Sequence, residues 1–128
     1  MNSKVLIIDD EPAIRSLLER ILTLDGFAVI TAGDFASGIT QAENDNIAVI
    51  VTDVKLPDGS GIELTRKIKS AYPDIEIIVI TAFGQIKDGV EAMKNGAFDY
   101  LVKGDDEDKL PLTVKRAYEK ALMHREVK

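Results

Sequence analysis

Ile47-Ala48-Val49-Ile50-Val51 is an unbroken apolar run that stops, two residues on, at the carboxylate of Asp53. A strand with one wet face alternates apolar and polar residues. A continuous run instead fits a strand buried on both faces, as in a parallel sheet covered by helices. The chain continues Val54-Lys55-Leu56-Pro57-Asp58-Gly59-Ser60-Gly61, which is turn chemistry. Pro57 fixes its own φ, and Gly59 and Gly61 tolerate positive φ, so a shaped loop is expected before a helix that opens at Ile62. Asp53 is thereby placed at the carboxyl end of a central strand, the edge of an open α/β sheet where ligands bind.

The same alternation runs through the whole chain. Val5-Leu6-Ile7-Ile8 ends at Asp9-Asp10-Glu11, and Pro12 suits the first turn of a helix. Ile14, Leu17, Leu18, Ile21 and Leu22 recur at helical spacing, with Gly26 as the stop. Phe27 to Thr31 reads as a second strand and Phe35 to Glu43 as a second helix with Ile39 and Ala42 inward. Asn44-Asp45-Asn46 turns into the central strand. The helix from Ile62 must end at Ala71, because Pro73 pushes Tyr72 away from the α region. Ile75 to Ile80 is a fourth strand ending at Thr81-Ala82. Ile86, Val90 and Met93 mark a fourth helix, with Met93 expected in the core and Asn95-Gly96 closing it. Phe98 to Val102 is the fifth strand, followed by Lys103-Gly104. In the last helix Leu110, Val114, Ala117 and Ala121 face inward, and Pro111 fits only within its first turn. Asp105 to Asp108 read as capping and solvating acids, and His124 as a solvated helix residue. Five strands alternating with helices predict an α/β fold: parallel strands, right-handed crossovers and helices on both sheet faces.

A chain of 128 residues has room for one domain over 1–128, with a core at about 4–124. The 16 basic residues are scattered among 22 acidic ones, for a net charge of -6, which argues against direct binding of nucleic acid. With no cysteine there is neither a disulfide framework nor a thiolate metal site. No apolar run approaches membrane-spanning length, and Met1-Asn2-Ser3-Lys4 leads into a strand without a signal-peptide pattern. A cytoplasmic protein without a membrane partner is expected.

Parallel strands all end on one edge, so Asp9, Asp10, Asp53, Thr81 and Lys103 should converge there. Any one of these acids alone would read as a helix start or a turn former. Three carboxylates crowded together repel one another unless a cation offsets them. Only oxygen ligands are on offer, with the lone His124 far along the chain, so the fitting ion is hard: Mg²⁺, or Mn²⁺ in its place. Mg²⁺ leaves coordination positions open to phosphoryl oxygens, and a carboxylate is a competent nucleophile toward phosphorus. Asp53 is the best-placed nucleophile. Lys103, the Thr81 hydroxyl and the Ala82 N–H are placed to hold the remaining phosphoryl oxygens.

With these residues in these places, the chain from Lys4 to about His124 resembles the receiver domains of bacterial two-component response regulators. The resemblance implies a flavodoxin-like sheet of strand order 2-1-3-4-5. It also implies that Asp53 is the phosphoacceptor, that Asp9 and Asp10 organise Mg²⁺, and that the Lys55 backbone carbonyl is a further metal ligand. Thr81 matches the switch hydroxyl, Lys103 the phosphate-pairing lysine and Tyr100 the aromatic switch residue. The implied partners are a sensor histidine kinase or phosphotransfer protein, and a downstream effector or output domain that reads the face made by helix four, strand five and helix five. A phosphorylation-dependent homodimer is a further expected partner, with an extended helix five able to serve as its contact. Thr81 to Ile86 and Val90 to Leu101 are most similar to receivers heading sigma-54-type activators, so the chain reads either as such a receiver excised or as a stand-alone regulator. Beyond phosphoryl transfer to itself and slow dephosphorylation, no enzyme activity is implied.

One departure is Gly104, where the family usually has proline in a cis peptide. A cis bond to a non-proline residue costs about 2.5–4 kcal/mol, so a trans bond or a more mobile loop is expected. Lys55 and Phe83 flank the site where other members can orient a hydrolytic water. Neither side chain can act as a base, so slow dephosphorylation is expected. Two other aspartate or nucleotide chemistries fit poorly. A haloacid dehalogenase-type phosphatase needs a second Asp two residues after the first, where Lys55 stands, and a flavodoxin-like cofactor binder needs a phosphate loop where Asp9-Asp10-Glu11 stand. A degenerate receiver acting only as a binding module would keep the fold, but the five intact residues argue against it.

Overall fold

The computed structural model describes residues 3–126. Met1 and Asn2 of the N-terminal segment, and Val127 and Lys128 of the charged C-terminal end, lie outside the described residues. In chain order the elements are β1 (Lys4–Ile8), α1 (Pro12–Leu24), β2 (Val29–Ala32), α2 (Phe35–Asn44), β3 (Ile47–Asp53), β4 (Lys55–Leu56) and β5 (Gly59–Ser60). They continue as α3 (Gly61–Ala71), β6 (Glu76–Thr81), α4 (Ile86–Lys94), β7 (Asp99–Val102) and α5 (Leu110–Glu126), the last preceded by a 3-10 turn at Glu107–Lys109. The main sheet is parallel with order β2-β1-β3-β6-β7, which is the 2-1-3-4-5 order once the short β4-β5 ladder is set aside.

The period-two pleat sorts the strand side chains into two cores. Leu6, Ile8, Ile50, Ile77 and Val79 face α2, α3 and α4, where they meet Ala42, Leu64, Ile68 and Ala92. Val5, Ile7, Val49, Val51, Ile78 and Ile80 face α1 and α5, where they meet Leu18, Leu22, Leu110 and Val114. Every residue of β3 is buried, as its unbroken apolar run requires. The α5 stripe of Leu110, Val114, Ala117 and Ala121 is buried as the periodicity predicts, and Pro111 sits in the first turn of that helix.

Several boundaries move by a residue or two. β2 begins at Val29 rather than Phe27, because the Phe27 N–H is still closing α1 on the Leu22 carbonyl after Gly26 turns at φ 98°. α3 opens at Gly61, one residue early, with the Ser60 hydroxyl accepting from the Ile62 N–H. β6 runs from Glu76 through Thr81, and β7 starts at Asp99.

The larger correction concerns α4. Met93, expected in the core, is 50% exposed, and Ile86 and Val90, which mark the same helix, are 86% and 47% exposed. The helix instead approaches the sheet through small residues: Ala92 is buried, and a Cβ at Gly89 would lie 3.0 Å from the Tyr100 ring. His124 is exposed as expected, yet its Nδ1 lies 2.9 Å from Asp74 Oδ1.

Candidate functional site

The carboxyl edge of the sheet gathers the strand-end residues. Asp9 follows β1 and is fully buried, whereas its neighbour Asp10 is exposed. Asp53 ends β3. Carboxylate oxygens of Asp9, Asp10 and Asp53 all lie within 4.8 Å of one another. Lys103, just past β7, reaches across the edge, and its Nζ donates to Asp9 Oδ2 at 2.9 Å and to Asp53 Oδ2 at 2.8 Å. Its reach does not depend on a proline after it. There is no cis peptide among the described residues, and Gly104 makes the turn at φ 88°. The strand partner is held too, since the Lys103 N–H donates to the Thr81 carbonyl at 2.7 Å.

Burial disfavours the Lys103 ammonium, but its hydrogen bonds to Asp53 and Asp9, together with their charges, outweigh that penalty and hold it above the ordinary lysine value. The lysine charge thus offsets two of the crowded carboxylates, Asp9 and Asp53. The acids themselves are oriented by backbone. Asp9 Oδ1 accepts from the Glu11 N–H at 2.9 Å, and Asp53 Oδ1 accepts from the Lys55 N–H at 3.2 Å.

Over Asp53 opens a cleft of about 220 Å³, whose lining includes Asp10, Asp53, Lys55, Thr81, Ala82 and Phe83. At its mouth the Lys55 ammonium stands 5.4 Å from the centroid of the Phe83 ring. The Thr81 hydroxyl accepts from the Phe83 N–H at 3.2 Å. Tyr100 stands apart from the acids. Its hydroxyl reaches toward the Gln85 and Phe83 carbonyls at 3.3 and 3.4 Å. Burial and then the nearby Asp88 charge push the phenol above its usual value.

The fit to a hard divalent ion is good on donor type. Asp9, Asp10 and Asp53 supply only carboxylate oxygens, at a spacing one cation can bridge. Two residues with structural parts here escaped the sequence reading. Arg15 Nη1 donates to the Asp9 carbonyl at 2.7 Å, and Asp58 accepts from the N–H groups of Phe35 and Ala36. Neither contact leaves a local pattern in the chain. Arg15 lies within the α1 repeat, and the partners of Asp58 are 23 and 22 residues away.

The family model described as the response regulator receiver domain matches residues 5–115. Transcriptional regulatory protein GlrR of Escherichia coli (strain K12) is 31% identical over 117 residues, 91% of this chain and 26% of GlrR. The C4-dicarboxylate transport transcriptional regulatory protein DctD of Pseudomonas aeruginosa is 37% identical over 117 residues, 91% of this chain and 25% of DctD. The chain therefore spans about a quarter of the length of these relatives. Among solved structures, the beryllofluoride-activated NtrC4 receiver domain dimer superposes with a TM-score of 0.86 at 36% identity, covering 92% of this chain and 98% of that one.

Proposed function

The chain belongs to the receiver domains of response regulators, and on that premise we propose that Asp53 accepts a phosphoryl group from a histidine donor. The observation that carries the reading is the position of Asp53: it closes a wholly buried strand, opens on the cleft, and shares its carboxylate with Lys103 beside Asp9 and Asp10. An Asp53 carboxylate oxygen attacks phosphorus, the P–N bond to the donor imidazole breaks, and the imidazole leaves with the electron pair and takes a proton. Lys103 stabilises the charge that builds on the phosphoryl oxygens, and the Thr81 hydroxyl and Ala82 N–H hold the others. Asp9, Asp10, Asp53 and the Lys55 carbonyl would hold Mg²⁺, or Mn²⁺. When bound, the ion offsets the carboxylates and the incoming phosphoryl charge.

The receiver is taken to occupy the whole chain with a core at about 4–124, and to work in the cytoplasm. Among the described residues no helix is long and apolar enough to cross a membrane. Phosphorylation would draw Thr81 toward the phosphoryl group and shift the population of Tyr100 and α4 positions. The exposed Ile86, Val90 and Met93 on α4 offer a surface whose change a downstream effector, an output domain or a second copy would read. The donor is a sensor histidine kinase or phosphotransfer protein.

The test is intact mass after incubation with acetyl phosphate, with and without Mg²⁺, beside Asp53→Asn. The expected result is a gain of one phosphoryl group that needs Mg²⁺ and vanishes in the variant. An unaltered mass in folded protein that binds Mg²⁺ would instead favour a binding module. A second expectation concerns decay. Lys55 and Phe83 line the cleft and neither can serve as a base to a hydrolytic water. The aspartyl phosphate should therefore persist well beyond seconds when its loss is followed by mass, and a lifetime of seconds would contradict this.

A further inference from the structure

The β4-β5 ladder has two rungs, Lys55 with Ser60 and Leu56 with Gly59. A ladder that short cannot hold its own shape in water, so its tip must be fixed from outside. Asp58 fixes it. The Phe35 N–H donates to Asp58 Oδ1 at 2.7 Å and the Ala36 N–H to Asp58 Oδ2 at 3.0 Å, so one carboxylate clamps the first turn of α2. The same two N–H groups hold the Asp58 carboxyl below the usual carboxylate range. The Phe35 ring closes the other side, since a Cβ at Gly59 would fall 2.8 Å from it. Asp34, by contrast, caps the same helix from within by accepting from the Ser37 N–H at 2.7 Å.

We propose that Asp58 is a positioning residue for the metal-facing loop: by anchoring the ladder to α2 it fixes the backbone of Lys55, and with it the carbonyl offered to the ion. The assignment rests on the metal role proposed above for Asp9, Asp10, Asp53 and Lys55. Lys55 has its N–H on Asp53 Oδ1 and its strand pairing on Ser60. Releasing the tip at Asp58 frees that pairing and leaves the carboxylates themselves untouched. Residues that orient a metal ligand without touching the metal typically change affinity about 10–100-fold. Because Lys55 supplies one ligand among several, the low end applies.

The experiment is calorimetric titration of the 128-residue chain with MgCl₂, for the unmodified protein and for Asp58→Ala, Asp58→Asn and Asp34→Ala, with a thermal melt of each. Asp58→Ala should weaken Mg²⁺ binding about tenfold, and Asp58→Asn, which keeps one acceptor oxygen, should fall between it and the unmodified protein. Asp34→Ala should lower the melting temperature with Mg²⁺ affinity unchanged. Equal affinity in Asp58→Ala and the unmodified protein would reduce Asp58 to a helix cap. A parallel loss of affinity in Asp34→Ala would assign the effect to α2 stability and also overturn the proposal. If the unmodified chain itself ignores Mg²⁺, the metal reading fails first and takes this assignment with it.

Discussion

Gly61→Ala is expected to destabilise the domain by about 3 kcal/mol, the upper end of the usual cost of overpacking, and to cut phosphoryl uptake at least tenfold. A Cβ at Gly61 would lie 2.0 Å from the Asp53 carbonyl oxygen and 2.9 Å from its carbonyl carbon. Both are backbone atoms of a buried strand, so no side chain can rotate away to make room. The first turn of α3 must lift or the end of β3 must shift, and the Gly61 N–H bond to the Val54 carbonyl, 2.8 Å, opposes the first. A shift of β3 moves the carboxylate that Lys103 holds at 2.8 Å, and positioning errors of about 1 Å can cost about a hundredfold in rate. Urea unfolding and intact mass with acetyl phosphate read the two effects. A variant as stable and as reactive as the unmodified chain would contradict the close-approach argument.

Lys103→Met should cost about 3 kcal/mol in the absence of divalent cation, since removing one partner of a buried pair typically costs about 3–5 kcal/mol. The low end applies because the Asp53 side chain is 11% exposed and lines the open cleft. The substitution keeps the apolar stem and removes the charge shared by Asp9 and Asp53. Those acids then face each other uncompensated. The variant should therefore bind Mg²⁺ more tightly than the unmodified protein and recover much of its melting temperature when Mg²⁺ is added, while losing phosphoryl uptake. Melts with and without MgCl₂ test this, and a variant whose stability ignores Mg²⁺ would count against the cation balance. The lysine value is raised in the fold, so its stabilisation is complete below the unfolded value of about 10.4 and is lost only as pH rises through the higher folded value. Near neutral pH the contribution of this lysine should be flat.

Both predictions turn on contacts that the chain order conceals. Gly59 and Gly61 look like residues chosen for positive φ, yet among the described residues positive φ occurs at Gly26, Gly96 and Gly104. At Gly59 and Gly61 the requirement is space, against the Phe35 ring in one case and the Asp53 backbone in the other. Sequence cannot separate the two uses of glycine, because the atom that a Cβ would strike belongs to another part of the fold.

The amino-acid sequence by itself determined the α/β class, the five strands of the main sheet with their helices, and the edge on which the polar residues collect, but not the short β4-β5 ladder. Burial on both faces demands an unbroken run such as that of β3, and a helix lying flat on a sheet demands a stripe such as Leu110, Val114, Ala117 and Ala121. Those are local patterns with a single outcome. What only the tertiary structure decided is which groups meet. Apolar spacing marked α4 by Ile86, Val90 and Met93 and put Met93 in the core, but helix placement over Tyr100 is set by the small Gly89 and Ala92, and the larger side chains are left outside. Lys103 meets Asp9 across 94 residues, and Asp58 meets Phe35 across 23. Those bonds depend on strand order and loop path, which are settled by packing the whole chain at once and are written in no single stretch of it.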